Sequence, residues 1–216
     1  LNTKTTWTPE YVTQLNTGIA WAQNGSDGAR SFTFNDNGTI DVKTGGTDGR
    51  YWDPDTADSS DCVASSTDTS NCYTITGNLR NHFGNYYNWP AATAGSGTAD
   101  IATDGQNIDD SICPKGWQLP QNSGSKSFNN LIRTIYGISA TDTDTSVMAE
   151  PLHFIRSGFY RWNGGTLGRQ GTTGYFWSAT AKSDTNAYYL IFNSGYLVPQ
   201  SSNNKGYGFT VRCVAR

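Results

Sequence analysis

The residues of this chain whose types could do chemistry are four cysteines, two histidines and a scatter of aspartates. Cys62, Cys72, Cys113 and Cys213 permit three pairings, and no two of them stand as the C-x-x-C of a zinc site or a redox dithiol. Disulfides are the better reading. Cys62 and Cys72 bracket a Ser/Thr/Asp loop, whereas a Cys113–Cys213 pair would close a loop of about 100 residues, worth ~4 kcal/mol through the unfolded chain. Cysteines so committed leave no thiol nucleophile, and they imply an oxidising compartment.

His82 and His153 lie in different segments and read as structural histidines rather than as an imidazole metal site. Asp53, Asp55, Asp58, Asp61, Asp109 and Asp110 could supply the paired carboxylates of a glycosidase. They fall in loops, however, not on strands that would fix a separation of ~5 or ~9 Å. There is no G-x-S-x-G elbow, no H-E-x-x-H, no P-loop and no G-x-G-x-x-G after a strand. The expectation is a protein that is not an enzyme. The Asp-rich stretch 43–72 offers oxygen ligands of the kind calcium takes, but its spacing matches no known calcium loop. No cofactor is expected, with a structural calcium there kept as the alternative.

A formal net charge of −3 provides no basic field, which disfavours nucleic acid and anionic membranes as partners. No window approaches the roughly 18 apolar residues of a spanning helix, so no membrane insertion is expected within this chain. Leu1-Asn2-Thr3-Lys4 is not a signal peptide, and an upstream targeting or anchoring segment is expected. The sequons Asn24-Gly25-Ser26 and Asn37-Gly38-Thr39 carry no weight in a chain so rich in Asn and Gly.

Hydrophobic residues make up 35% and charged residues 15%, the balance being largely Gly, Ser, Thr and Asn with 12 Tyr and 7 Trp. That mixture favours loops, turns and stacked aromatics over long helices. Tyr11, Leu15 and Ile19 recur every four residues after Thr8-Pro9, predicting a short helix within 7–21. Alternation on either side of Asn37-Gly38 predicts a hairpin, with Phe32 and Phe34 on one strand and Ile40 and Val42 on the other. Residues 43–72 and about 93–110 read as long loops. Phe128, Leu131, Ile132 and Ile135 form a helical face that Gly137 ends. From Pro151 onward LHFIRSGFYRW, GYFWSAT, NAYYLIFNSGYLV and GFTVRCVAR alternate or run apolar between Gly and Asn, as strands do. The plan is α+β: short strands, few helices and long loops in one unit spanning 1–216.

The segments SICPKGWQLP (111–120), GYFWSAT (174–180), AYYLIF (187–192) and GFTVRCVAR (208–216) together resemble the FISUMP, or major paralogous, domain family, and especially the variable proteins of diversity-generating retroelements. The resemblance covers residues 77–216, leaving 1–76 as an elaborated N-terminal part. It implies a C-type-lectin-like fold of the formylglycine-generating-enzyme subtype, serving as a rigid frame for a ligand-binding face. In that frame Cys113 and Cys213 would join the segment before the helix to the last strand, and Trp117, Trp177, Phe192 and Val211 would be core residues.

In such relatives the binding residues sit where a template carries asparagine codons, and matching by position places them at Tyr189, Ile191, Tyr196, Val198, Ser201, Ser202, Asn203, Asn204 and Tyr207, with Arg161, Tyr175 and Asp184 as fainter candidates. Changing the first two bases of AAC or AAT cannot give Trp, Gln, Met, Lys or Glu. None of these occurs at the twelve positions, whereas Gln200 and Lys205 lie between them as frame residues would. Independently, NSGYLVPQSSNNKGYG mixes Tyr, which gives contact area at small entropy cost, with adaptable Ser, Asn and Gly, as antibody paratopes do.

The E-P-N, Q-P-D and W-N-D signatures of calcium-dependent sugar binding are missing; Trp162-Asn163-Gly164 is a partial echo. The cysteine and metal chemistry of the formylglycine-generating enzymes has no counterpart. The expected function is therefore receptor binding by a domain displayed outside the cell, on a cell or virion surface, its ligand a protein or glycan on another cell or particle. A non-diversified, pilus-associated or glycan-binding adhesin is the second reading, and a polysaccharide-acting enzyme the third.

Overall fold

The computed structural model describes residues 20–21, 30–34, 40–42, 51–52, 85–93, 104–113, 116–138, 146–148, 150–161 and 167–216. Near the N-terminus β2 (Arg30–Phe34) and β3 (Ile40–Val42) pair antiparallel, Phe32 opposite Val42 and Phe34 opposite Ile40, as the alternation about Asn37-Gly38 predicts. β1 (Ala20–Trp21) joins the other side of β2. The segment expected to be helical as far as Trp21 thus ends extended, and residues 1–19 lie outside the described ones. So do Cys62, Cys72 and most of the 43–72 stretch, and with them the first disulfide and the calcium question. Within that stretch Tyr51–Trp52 forms β4, a strand where a loop was expected. It pairs with β5 (Tyr86–Tyr87), Tyr51 opposite Tyr87 and Trp52 opposite Tyr86.

A short helix, α1 (Trp89–Ala92), follows, capped by Asn88, whose Oδ1 accepts from the Ala91 N–H at 3.0 Å. α2 (Phe128–Tyr136) matches the expected helix. Ser127 Oγ accepts from the Asn130 N–H at 3.1 Å at its start, and Gly137 takes the left-handed conformation at its end. Phe128 and Ile132 are buried, while Leu131 and Ile135 are half-buried.

The largest sheet in the C-terminal part holds β9 (Gly174–Ala181), β10 (Asn186–Phe192) and β11 (Leu197–Asn204), antiparallel in the order β11-β10-β9. All eight residues of β9 are buried, because both of its faces are covered. Phe176, Leu190, Phe192 and Leu197 pack one face against Phe128 and Ile132 of α2 and against Phe154. Tyr175, Trp177, Ala179, Tyr189 and Ile191 pack the other against Trp89, Ala91, Ile112, Leu119 and Phe209. Burying each large side chain contributes roughly 1.5–3 kcal/mol. The two central indoles are satisfied as well: Trp89 donates to the Ser178 carbonyl at 2.8 Å and Trp177 to the Tyr87 carbonyl at 2.7 Å.

Residues 208–210 bridge three elements: Gly208 pairs with Tyr160, Phe209 with Tyr87 and Thr210 with Phe176. Tyr160 belongs to β7 (Phe159–Tyr160), which forms a ribbon with β8 (Leu167–Gly168). β6 (Trp117–Gln118) pairs with β12 (Val214–Ala215), and the Cys113–Cys213 disulfide closes beside them with a Cα–Cα distance of 5.8 Å.

Of the four expected core residues, Trp177 and Phe192 are fully buried and Val211 is half-buried against the core. Trp117 departs from expectation, with 46% of its surface exposed. Its strand belongs to a two-stranded ribbon outside the main sheet, and Leu119 and Cys113 fill the core beside it. The described residues are mostly strand with few helices, in small sheets: an α+β fold.

Candidate binding face

The polar run after Gly195 is not a loop but the strand β11, and one irregularity decides where its side chains point. Tyr189 lies opposite Ser201, whereas Ile191 lies opposite Val198, so β11 carries one residue more than β10 between these pairs. Pro199 and Gln200 together oppose Leu190: a β-bulge. Proline suits that place because it has no N–H to give to the ladder. Residues directly opposite share a face, so Val198, Ser201 and Asn203 stand on the same face as Ile191, Tyr189 and Ala187. Without the extra residue Val198 would oppose Phe192, on the other face.

At the α1 end this face is roofed by core residues; at the Gly174 end it carries Tyr175, Tyr189 and Ile191, just 4%, 5% and 8% exposed. These three are the floor of the face. The Tyr175 ring lies 5.1 Å from Phe159 and 5.0 Å from Phe209, and Phe209 itself lies 4.8 Å from Tyr189. Tyr207 leans on Phe159 at 5.6 Å, and Tyr196 packs against the same cluster; both are half-buried. Val198 is the exposed apolar residue of the face, 39% open.

The polar ends of these rings meet in a cluster. Arg169 Nη1 donates to the Tyr175 hydroxyl at 3.4 Å. Ser201 lies opposite Tyr189 on the neighbouring strand, on the same face. Burial pushes the Tyr175 hydroxyl up to about 12, opposed by the neighbouring guanidinium. Burial also raises Tyr189, opposed by the polar side chains of Ser201 and Asn203 and by Arg169. The Tyr175 hydroxyl holds Arg169 above its ordinary value, and Tyr196 and Tyr189 add to the effect. Hydroxyls kept protonated over so wide a range can donate and accept hydrogen bonds but are poor general bases. Among the described residues no group of three or more His, Cys, Asp or Glu is placed to hold a metal ion.

Six of the twelve expected binding residues therefore share one face of the sheet: Tyr175, Tyr189, Ile191, Val198, Ser201 and Asn203. Tyr196 and Tyr207 border it. Ser202 and Asn204 pair with Tyr188 and Asn186 and stand on the opposite face. Asp184 is exposed in the β9–β10 turn at the far end, where its charge acts on Lys205. Arg161 is exposed just after β7. The two intervening residues are anchored to the frame. Gln200 donates to the Asn122 carbonyl at 2.6 Å, and Lys205 is buried with its ammonium 4.7 Å from the centre of the Trp89 ring.

Sequence reasoning missed Arg169, Phe159 and Phe209. Arg169 sits in the Gly168–Gly171 turn with φ 57, and nothing in the sequence says that this turn abuts Tyr175.

A family described as a domain of unknown function, DUF8237, has a model that matches residues 132–214, less than half of the chain. The matched stretch runs from within α2 to β12 and takes in the sheet, its bulge and Arg169. No curated protein and no solved structure matches the chain.

Among the described residues no helix is long and apolar enough to cross a membrane. The Cys113–Cys213 disulfide fits an oxidising environment.

Proposed function

We propose that this chain is a non-enzymatic, receptor-binding domain of C-type-lectin-like fold, displayed outside the cell on a cell or virion surface, that engages a macromolecular ligand with the β9–β11 face. The observation that carries the reading is the register of β11. A single bulge turns Val198, Ser201 and Asn203 onto the face floored by Tyr175, Tyr189 and Ile191, while Gln200 and Lys205 are held by the frame. Candidate positions set between anchored ones are what a diversified surface on a fixed scaffold requires, and the asparagine-codon pattern of the same positions supports this. Tyr, Ser and Asn around an aromatic floor supply contact area and adaptable hydrogen bonds. The disulfide supports the extracellular setting.

The two faces of β11 allow a direct test. A random-peptide display library and a glycan array are screened with the wild-type domain, with Val198→Arg and with Ser202→Arg, both exposed positions on the same strand. Hits lost with Val198→Arg and kept with Ser202→Arg support the reading, and hits indifferent to Val198→Arg sink it. Hits confined to the glycan array would favour the adhesin. Diversification itself predicts a near-copy of the 3′ coding sequence with adenines at the variable positions beside a reverse-transcriptase gene.

A further inference from the structure

The binding-face reading leaves open what chemistry the ligand brings, and the rim of the face next to β9 bears on it. Arg169 is exposed, yet its backbone is tightly held in a conformation that residues with a side chain rarely adopt, φ 57. Its carbonyl accepts from the N–H groups of Thr172 and Thr173, both at 3.1 Å, and from the Thr172 hydroxyl at 2.9 Å. The turn places the guanidinium at the edge of the tyrosine cluster, where its one hydrogen bond among the described residues is the long 3.4 Å contact to the neutral Tyr175 hydroxyl. Among the described residues no carboxylate pairs with it: the ion pairs are Glu150 with His153 and Asp104 with Lys182, and Asp184 stands at the other end of the sheet. Arg161 follows the opposite end of the same β7–β8 ribbon, exposed and likewise without an ion-pair partner among the described residues. Among the described residues two guanidinium groups, one after each end of the β7–β8 ribbon, thus have no carboxylate partner in a chain of net charge −3, and the Tyr175, Tyr196 and Tyr189 hydroxyls that act on Arg169 are able to donate.

We propose that the ligand is anchored by a carboxylate seated on Arg169, with Arg161 adding long-range attraction. The inference rests on the β9–β11 face being the binding face. A planar guanidinium with free N–H groups matches a carboxylate as a two-pronged acceptor, and the protonated hydroxyls beside it can donate to the same oxygens. An acidic side chain of a protein and an acidic sugar of a glycan present the same group, so small probes separate the two sources.

The test is a titration of the ¹⁵N-labelled domain with glutarate, N-acetylneuraminate and the uncharged glutaramide, read at the Arg169 Nε–Hε signal and at the backbone amides of Thr172 and Tyr175. The expected result is a saturable shift with one or both carboxylates, at least tenfold weaker with glutaramide. Arg169→Gln, folded as judged by an unchanged melting temperature, loses the amide shifts; Arg169→Lys retains part of them, and Arg161→Gln weakens binding only a few-fold. A response to glutarate alone assigns an acidic peptide, and a response to N-acetylneuraminate alone an acidic glycan. Equal shifts with glutaramide, no shift with either carboxylate, or full retention in Arg169→Gln overturns the proposal. A silent Arg169 alongside library hits lost in Val198→Arg removes the carboxylate and leaves the face. A responsive Arg169 alongside hits indifferent to Val198→Arg removes the face as the macromolecular site.

Discussion

Tyr175 and Tyr189 stand diagonally across neighbouring strands with their rings 5.9 Å apart and 15° from parallel, and they are the floor on which the candidate face is built. Because burial disfavours their ionised forms, the floor is also a titration-sensitive part of the fold.

Alkaline pH should unfold the domain through these tyrosines. Tyr175 is pushed up to about 12 from 10.0 in the folded chain, and Tyr86 and Tyr189 are raised in the same direction, all by burial first. The unfolded chain then gives up its protons first. The stability these groups contribute is complete below about pH 10 and declines as pH rises through 10 toward 12. Melting temperatures between pH 8 and 11.5 should be flat and then fall, and absorbance at 295 nm should show a tyrosine fraction that ionises only on unfolding.

Lys205 should be a site where removing charge stabilises. Its ammonium is buried without a hydrogen-bond partner among the described residues, and its contact with the Trp89 ring returns only part of the lost hydration. Lys205→Met is expected to gain about 1–2 kcal/mol at neutral pH, by analogy with buried charges replaced by apolar residues. Burial lowers the folded lysine's proton affinity, with Asp184 opposing, so the wild-type penalty shrinks as pH rises toward 10.5. The advantage of Met should shrink with it, as denaturant titrations at pH 7 and pH 10 would reveal.

Gly158 and Gly137 share a left-handed backbone but not their surroundings. A Cβ at Gly158 would overlap the Gly168 carbonyl oxygen and the backbone of Gln170, whereas at Gly137 it would meet open space. Gly137→Ala should cost about 1 kcal/mol, the conformational term alone. Gly158→Ala should cost about 3 kcal/mol, since the turn that carries Arg169 has to move. Equal losses in the two variants would show that the Gly158 overlap relaxes freely.

Reducing the Cys113–Cys213 bond, or replacing both cysteines by Ala, should cost about 4–5 kcal/mol, the figure for closing a loop of this size. The check is the difference in unfolding midpoint with and without reductant, on a variant that lacks Cys62 and Cys72 so that only this bond reports.

The parts of the fold that local chemistry dictates were legible in the sequence. Ser127 and Gly137 bracket α2 as a cap and a left-handed stop, and Asn37-Gly38 joins two alternating strands. β11 was not legible as a strand, because LVPQSSNN is half-exposed, includes a proline and loses its alternation at the bulge. The candidate positions could be named but not sorted. Tyr189 and Ser202 look equally available in the sequence, and strand register alone makes one the floor and sends the other to the opposite face. Trp117 misled for a related reason, since an indole carries no sign of whether its strand joins the main sheet or a marginal ribbon. Arg169 lay in an unremarkable glycine-flanked turn whose value depends wholly on what the fold sets beside it.

The disulfide also decides how a mechanical load would travel. Tension that enters the chain before Cys113 and leaves it after Cys213 has a covalent path through the sulfur–sulfur bond that bypasses the backbone of residues 114–212. The whole β9–β11 sheet and its rim lie inside that shunt. A domain held in this way can be pulled between its two chain ends without the backbone of that sheet being drawn out.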